Sequence, residues 1–166
     1  MNENNPLIFP DLIELNSYNG SFQIYFEDVY NIYKEHFLKS NPKFDGLKVT
    51  APRYPEVDGL SRTFYHITHE GKDEQNRTPD FRRMERIRFP KFEIETHPHQ
   101  ELLMWEKEIG RDTRIHILNI DQSYLLVLNR RKDYIMLWTA FYIEYNHTLR
   151  KKLKEYESYK DQNRLV

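Results

Sequence analysis

The chain contains no cysteine, which excludes disulfides, thiolate metal sites and a cysteine nucleophile together. It has no apolar run approaching the ~20 residues that span a bilayer, and its opening residues, MNENNPLIFP, lack the basic start and apolar stretch of a signal peptide. The expectation is a cytoplasmic protein with no membrane partner. Glycine is scarce as well: five residues leave no glycine-rich phosphate loop of the Walker or dinucleotide type, which argues against nucleotide-driven chemistry. No serine sits in a G-x-S-x-G nucleophile elbow, so a hydrolase of that kind has no support. No cofactor is expected.

At 166 residues the chain has the length of one domain, large enough to bury a core without staples. We expect a single domain over 1–166, with 1–19 as an N-terminal extension and 147–166 as a charged surface helix. With 12 tyrosines and 10 phenylalanines, the core must lean on aromatics. The formal net charge of −1 hides an uneven distribution: residues 1–40 hold six acids against two bases, and 77–91 hold six bases against two acids. A local basic site can therefore exist on a near-neutral protein.

Hydrophobic periodicity predicts helices first and a sheet later. Phe22, Tyr25, Phe26, Val29, Tyr33 and Phe37 recur at helical spacing, with Ser40-Asn41-Pro42 ending the pattern. Residues 47–50 and 62–68 are β-rich runs between Gly46, Pro52, Pro55 and Gly59, and 70–77 read as a loop. Residues 98–109 suit a short helix ending at Gly110, although their apolar run could equally be a buried strand. After Gly110 three strands follow, at 113–120, 123–130 and 133–145, with turns at Asp121-Gln122 and Arg131-Lys132. The fold class is α+β: N-terminal helices, an antiparallel sheet whose C-terminal part is a three-strand meander, and a terminal helix.

The richest stretch is 65–89, YHITHEGKDEQNRTPDFRRMERIRF. It sets a strand-end histidine, His66, upstream of a helix that begins near Thr78, with Pro79 in its first turn, and ends at Phe89 before Pro90. On that helix Phe81, Met84 and Ile87 share one side while Arg82, Arg83 and Arg86 fan across the other. The plainest reading is a solvated arginine face. The sharper one is phosphate handling. Cleaving RNA by attack of its own 2′-hydroxyl needs a group to take that proton, a group to protonate the leaving 5′-oxygen, and cations at the phosphoryl oxygens. His66, Glu85, Arg83 and Arg86 supply these types, with Arg82, Arg88 and Arg130 as further nucleic-acid contacts. Taken alone, Glu85 could equally pair with Arg82 or Arg88, and His66 could be a satisfied structural histidine. Thr139, a hydroxyl amid aromatics, could bond a phosphate oxygen; strand alternation puts it with Ile135, Leu137 and Phe141 and away from Tyr142 unless a bulge intervenes. The pairs His66/His69 and His97/His99 make only a weak case for a metal, and none is expected.

Three motifs carry a family resemblance: Y-H-I-T at 65–68, R-x-P-D-x-x-R-x-E-R-I at 77–87, and Y-L-L-V-L-N-R-R-K-D-Y-I-M-L-W-T-A-F-Y at 124–142. Across roughly residues 20–157 the chain resembles a group of phage and mobile-element proteins related to the phage protein RlfB and to nuclease domains of the barnase, EndoU, colicin and RelE type. It departs from that pattern at Phe89, where tryptophan is expected. The resemblance implies an α+β fold and metal-independent, toxin-like RNA cleavage, with His66, Arg83, Glu85, Arg86 and Thr139 matching the polar positions. Because fold does not fix function, a non-catalytic module binding nucleic acid or protein on the same basic face stays open. So does an accessory protein with Tyr25, Tyr30 and Tyr33 at an interface. RNA is the expected partner, with other nucleic acid second.

Overall fold

A computed structural model of the chain describes residues 5–164. The first four residues of the expected extension and the last two of the expected terminal helix lie outside the described residues. Helix α1 spans Phe22–Tyr33 and buries Tyr25, Val29 and Tyr33, one residue per turn. It runs on through a π-type stretch, Lys34–Leu38, that keeps Phe37 inward. The exposed end is closed by side chains: Ser40 Oγ donates to the Glu35 carbonyl (2.6 Å) and Asn41 Nδ2 to the Phe37 carbonyl (3.2 Å). Tyr25 and Tyr33 are fully buried, so they belong to the core and not to a tyrosine interface.

Strands β1 (Lys43–Phe44) and β2 (Leu47–Thr50) form a tight hairpin. Its two turn residues, Asp45 and Gly46, both have positive φ, as the twist of a two-residue hairpin demands. The segment 62–68, expected as strand, is instead helix α2, Arg62–Thr68. Its β-branched and aromatic residues mimic a strand because the helix is buried nearly all round; Thr63, Phe64, Tyr65, Ile67 and Thr68 are all inside, so no amphipathic stripe shows in the sequence. His66 is therefore a helical residue, not a strand-end one.

Short strands β3 (His69–Glu70) and β4 (Thr78–Pro79) close the polar loop between them. Pro79 is thus extended, and Asp80 is the true cap, its carboxylate accepting from the Arg83 N–H. The arginine helix, expected over 78–89, is shorter, α3 (Phe81–Glu85); a turn at 86–88 follows, and a second helix, α4 (Phe89–Thr96), begins where the first was expected to end. Pro90 has no N–H for the Arg86 carbonyl; the Phe89 N–H takes that oxygen at 2.9 Å and a new helix starts, with the proline harmlessly in its first turn.

Strands β5 (Leu103–Ile109), β6 (Asp112–Asn119), β7 (Tyr124–Arg130) and β8 (Ile135–Tyr142) make an antiparallel meander of four. The strand alternative for 98–109 is the one realised, as β5. The sheet order is β1-β2-β8-β7-β6-β5, and only the β2–β8 pair is parallel. The fold is α+β, with helix α5 (Asn146–Arg164) last. One sheet face, including Ile117, Leu126, Leu128, Ile135 and Leu137, shares a core with α1, α2, α3 and α4. The other, built on Trp105, Leu118, Leu125 and Val127, is covered by Leu149, Leu153 and Tyr156 of α5. Among the described residues no helix is long and apolar enough to cross a membrane.

A bulge intervenes in β8. Val127 pairs with Thr139 but Leu128 with Leu137, so Trp138 is an extra residue with no partner. The bulge reverses the alternation. Thr139 and Phe141 lie on the α5 face opposite Val127 and Leu125, whereas Ile135, Leu137 and Tyr142 face the main core, which corrects the expectation that Thr139 and Leu137 share a side.

Candidate functional site

Helix α2 exposes one line of residues. Arg62 and His66 are one turn apart on it, and both escape the burial of their neighbours. The helix packs along β8 beyond the point where β2 stops, since β2 pairs only with Ile135 and Met136. Between α2 and the bulge lies a cavity of about 290 Å³ lined by Arg62, Thr63, His66, Glu74, Arg131 and Trp138, among others.

Glu74 comes from the loop at 71–77, which its own polar groups hold in shape. Asp73 accepts from the Gln75 N–H (3.1 Å) and Asn76 Nδ2 (2.6 Å), and the Tyr65 hydroxyl accepts from the Arg77 N–H (2.9 Å). This sets Glu74 3.5 Å from Arg62. On the far wall, Asp112 holds Arg131 at 3.0 Å and Arg114 at 3.1 Å, and the Arg114 guanidinium lies 3.6 Å from the centre of the Trp138 ring. The arginines around the cavity are paired, but Arg62 and Glu74 are nearly half exposed, and such pairs exchange partners at little cost.

His66 is the centre of this electrostatic arrangement. Burial first, then Arg77, Arg83 and Arg62, push its pKa down to about 4, with only Glu74 opposing among its main neighbours. The imidazole is therefore neutral at physiological pH. An anion entering the cavity supplies the missing opposite charge and favours the protonated ring.

The other expected residues go elsewhere. Arg83 Nε donates to Asp80 (3.1 Å) and Nη1 to the His66 carbonyl (3.2 Å), so it ties α3 to the end of α2 behind the imidazole. Arg86 lies over the Tyr142 ring (4.4 Å) and donates to the Arg82 carbonyl (2.9 Å). Arg82 shares that ring (5.1 Å) and pairs with Glu144 (3.2 Å). The fan is thus split: Arg83 over Phe141, Arg82 and Arg86 over Tyr142. Glu85 sits 3.6 Å from Arg86; burial raises its pKa, and its carbonyl accepts from the Ile13 N–H. Among the described residues, no hydrogen bond or ion pair joins Glu85 to His66. Thr139 faces α5. Arg88 lines a separate cavity of about 220 Å³ with His36 and Lys91, and Arg130 pairs with Glu106 at 2.9 Å.

His69 packs its ring on Tyr65 (4.4 Å), His97 stacks on Phe44 (4.8 Å), and His99 bonds the Asn5 carbonyl (2.9 Å). These three side chains are occupied in packing and local bonds. Four cavity residues escaped the sequence reading: Arg62, Glu74, Arg131 and Trp138. The spacing of four between Arg62 and His66 would have flagged the first, had the segment been read as a helix. Trp138 gives no signal, because the bulge that exposes it lies inside a run of apolar and aromatic residues interrupted only by Thr139. Comparison of the chain with family models, with curated proteins and with solved structures finds no match.

Proposed function

We propose that the cavity between α2 and β8 binds a phosphate of RNA, and that the protein is a metal-independent ribonuclease of the phage or mobile-element kind its motifs resemble. The observation that carries this reading is that His66, Arg62, Glu74 and Arg131 line one open cavity, with Arg83 bonded to the His66 carbonyl behind the ring. Arg62 and Arg131 are the cations that exchange Glu74 and Asp112 for phosphoryl oxygens. Released from Arg62, the Glu74 carboxylate takes the 2′-hydroxyl proton as the 2′-oxygen bonds to phosphorus; His66, protonated once the phosphate is in place, gives its proton to the 5′-oxygen as the P–O5′ bond breaks, leaving a 2′,3′-cyclic phosphate. Glu74 thereby takes the part the sequence gives to Glu85, and Arg83 positions His66 from behind. A cytoplasmic location, where RNA is met, goes with this reading.

The second reading, a module that holds RNA without cutting it, is favoured by the ion pairs that already occupy Arg62 and Arg131. One experiment separates the two. Purified protein is incubated with total RNA in EDTA beside the His66→Ala variant, and product ends are analysed. Cleavage that survives EDTA, leaves 2′,3′-cyclic phosphate and is lost with His66 supports the enzyme. Binding without cleavage supports the module. Absence of both removes RNA from the account.

A further inference from the structure

We infer that the Trp138 indole is a stacking platform for one nucleobase, so that the cavity takes single-stranded and not duplex nucleic acid; this rests on the phosphate-binding reading above. The bulge expels Trp138 from the β7–β8 ladder and leaves it 39% exposed in a strand where Leu137 and Ala140 are buried. An indole body can stack on a flat partner while its edge stays in contact with the protein. Its geometry is fixed from behind. The Arg114 guanidinium covers one side of the ring at 3.6 Å and is itself held by Asp112, the residue that also holds Arg131. The ring lines the same cavity as His66, Arg62 and Arg131.

A flat ring beside a cationic phosphate site is the combination that single-strand binding uses, because every base offers a π face. In a duplex those faces are stacked already. The cavity, of about 290 Å³, is open to solvent beside the ring, so a base can reach it from a flexible single strand. The surroundings set a direction too. On the side away from Trp138 the next cavity shares Arg62 and Glu74 but is lined by Glu56, Asp58 and Asp73, an acidic wall that repels a phosphate backbone. A bound strand therefore leaves past Arg131 and not over the loop at 71–77.

The test uses the full chain with three probes: 2′-deoxy hexa-adenylate, which lacks the attacking hydroxyl and is not cleaved, a hexamer of abasic deoxyribose-phosphate of equal charge, and inorganic phosphate. Binding is read by calorimetry, and the His66 ring is followed by NMR. Trp138→Ala should weaken hexa-adenylate binding about tenfold, the fold-change of one stacked base, while the phosphate-induced shift of the His66 signal stays unchanged. Trp138→Phe should retain most of the affinity, and the abasic hexamer should bind the natural protein as weakly as hexa-adenylate binds Trp138→Ala. Equal binding of the two hexamers, or no loss in Trp138→Ala while His66 still responds to phosphate, overturns the platform and leaves the phosphate site standing. If no probe binds and His66 does not respond, both readings fall.

Discussion

Two histidines of this protein have the same depressed pKa and opposite surroundings. His66 and His116 are both pushed down to about 4, in each case first by burial and then by nearby cations: Arg77 and Arg83 for one, Lys152 for the other. Each also has a tryptophan in its neighbourhood. His116 stacks flat on Trp105, with ring centres 4.9 Å apart, under α5, and Trp105 is 1% exposed. His66 shares an open cavity with Trp138, which the bulge turns outward. A perturbed pKa therefore does not mark a site by itself. What differs is access: α5 removes it at His116, while the early end of β2 leaves His66 on an open cavity.

The comparison breaks or holds on substitution. His66→Ala should lower RNA cleavage by about 10²–10⁴-fold, the usual worth of a positioned proton-transfer group, with little change in unfolding by denaturant. His116→Ala should leave cleavage per folded molecule unchanged. Equal loss in both would show that the depressed pKa and not the cavity decides. The tryptophans should reverse the order: Trp105→Ala should cost about 3–5 kcal/mol in urea unfolding because it empties a packed site, and the part-exposed Trp138→Ala less, about 1–2 kcal/mol, from lost contact with Arg114 and partial burial.

What the sequence made legible follows the same division between regular and irregular packing. Helix α1 is readable because Tyr25, Val29, Tyr33 and Phe37 repeat on one side, and β6, β7 and β8 because turns separate β-rich runs. Helix α2 is not, because a helix buried all round carries no stripe. Pro90 does not end the first helix at Phe89: that helix stops at Glu85, and Phe89 and Pro90 open a second one. His66 and the arginines could be picked by residue type. Their partners could not: Asp80 takes Arg83, Tyr142 takes Arg86, and the cavity draws residues from α2, the loop at 71–77, the turn after β7 and a bulge. Such an assembly is a product of tertiary packing, with no local spacing to betray it.

Titration sharpens the comparison with smaller effects. For both histidines the folded pKa lies below the ordinary 6.5, so the folded state binds fewer protons between those values; their contribution to stability is complete above pH 6.5 and is lost as pH falls toward about 4. Glu93 runs the other way. It is fully buried on α4 with neither carboxylate oxygen bonded, and burial raises its pKa well above 4.5. Its stabilising contribution is complete below pH 4.5 and is lost as pH rises toward the raised value. Thermal melts across pH should show Glu93→Gln flattening the neutral limb and His116→Phe the acid limb. Inorganic phosphate should raise the pKa of His66 alone; a matching rise at His116 would make the anion effect a general one and dissolve the contrast.

The smallest effect separates cations by place. Arg62 and Arg131 line the cavity, whereas Arg130, one residue from Arg131, is turned to Glu106 and Asp45. Each phosphate contact on a single strand contributes about 0.7 to the slope of log affinity against log salt. Arg62→Ala and Arg131→Ala should each reduce the slope for hexa-adenylate by about that amount, and Arg130→Ala should leave it alone. The four surface ion pairs lost across the three variants are worth about 0–1 kcal/mol apiece, so folding should not confuse the reading. A slope that falls equally in Arg130→Ala would extend the contact surface across the sheet edge, and the cavity would then be one cluster of positive charge among several.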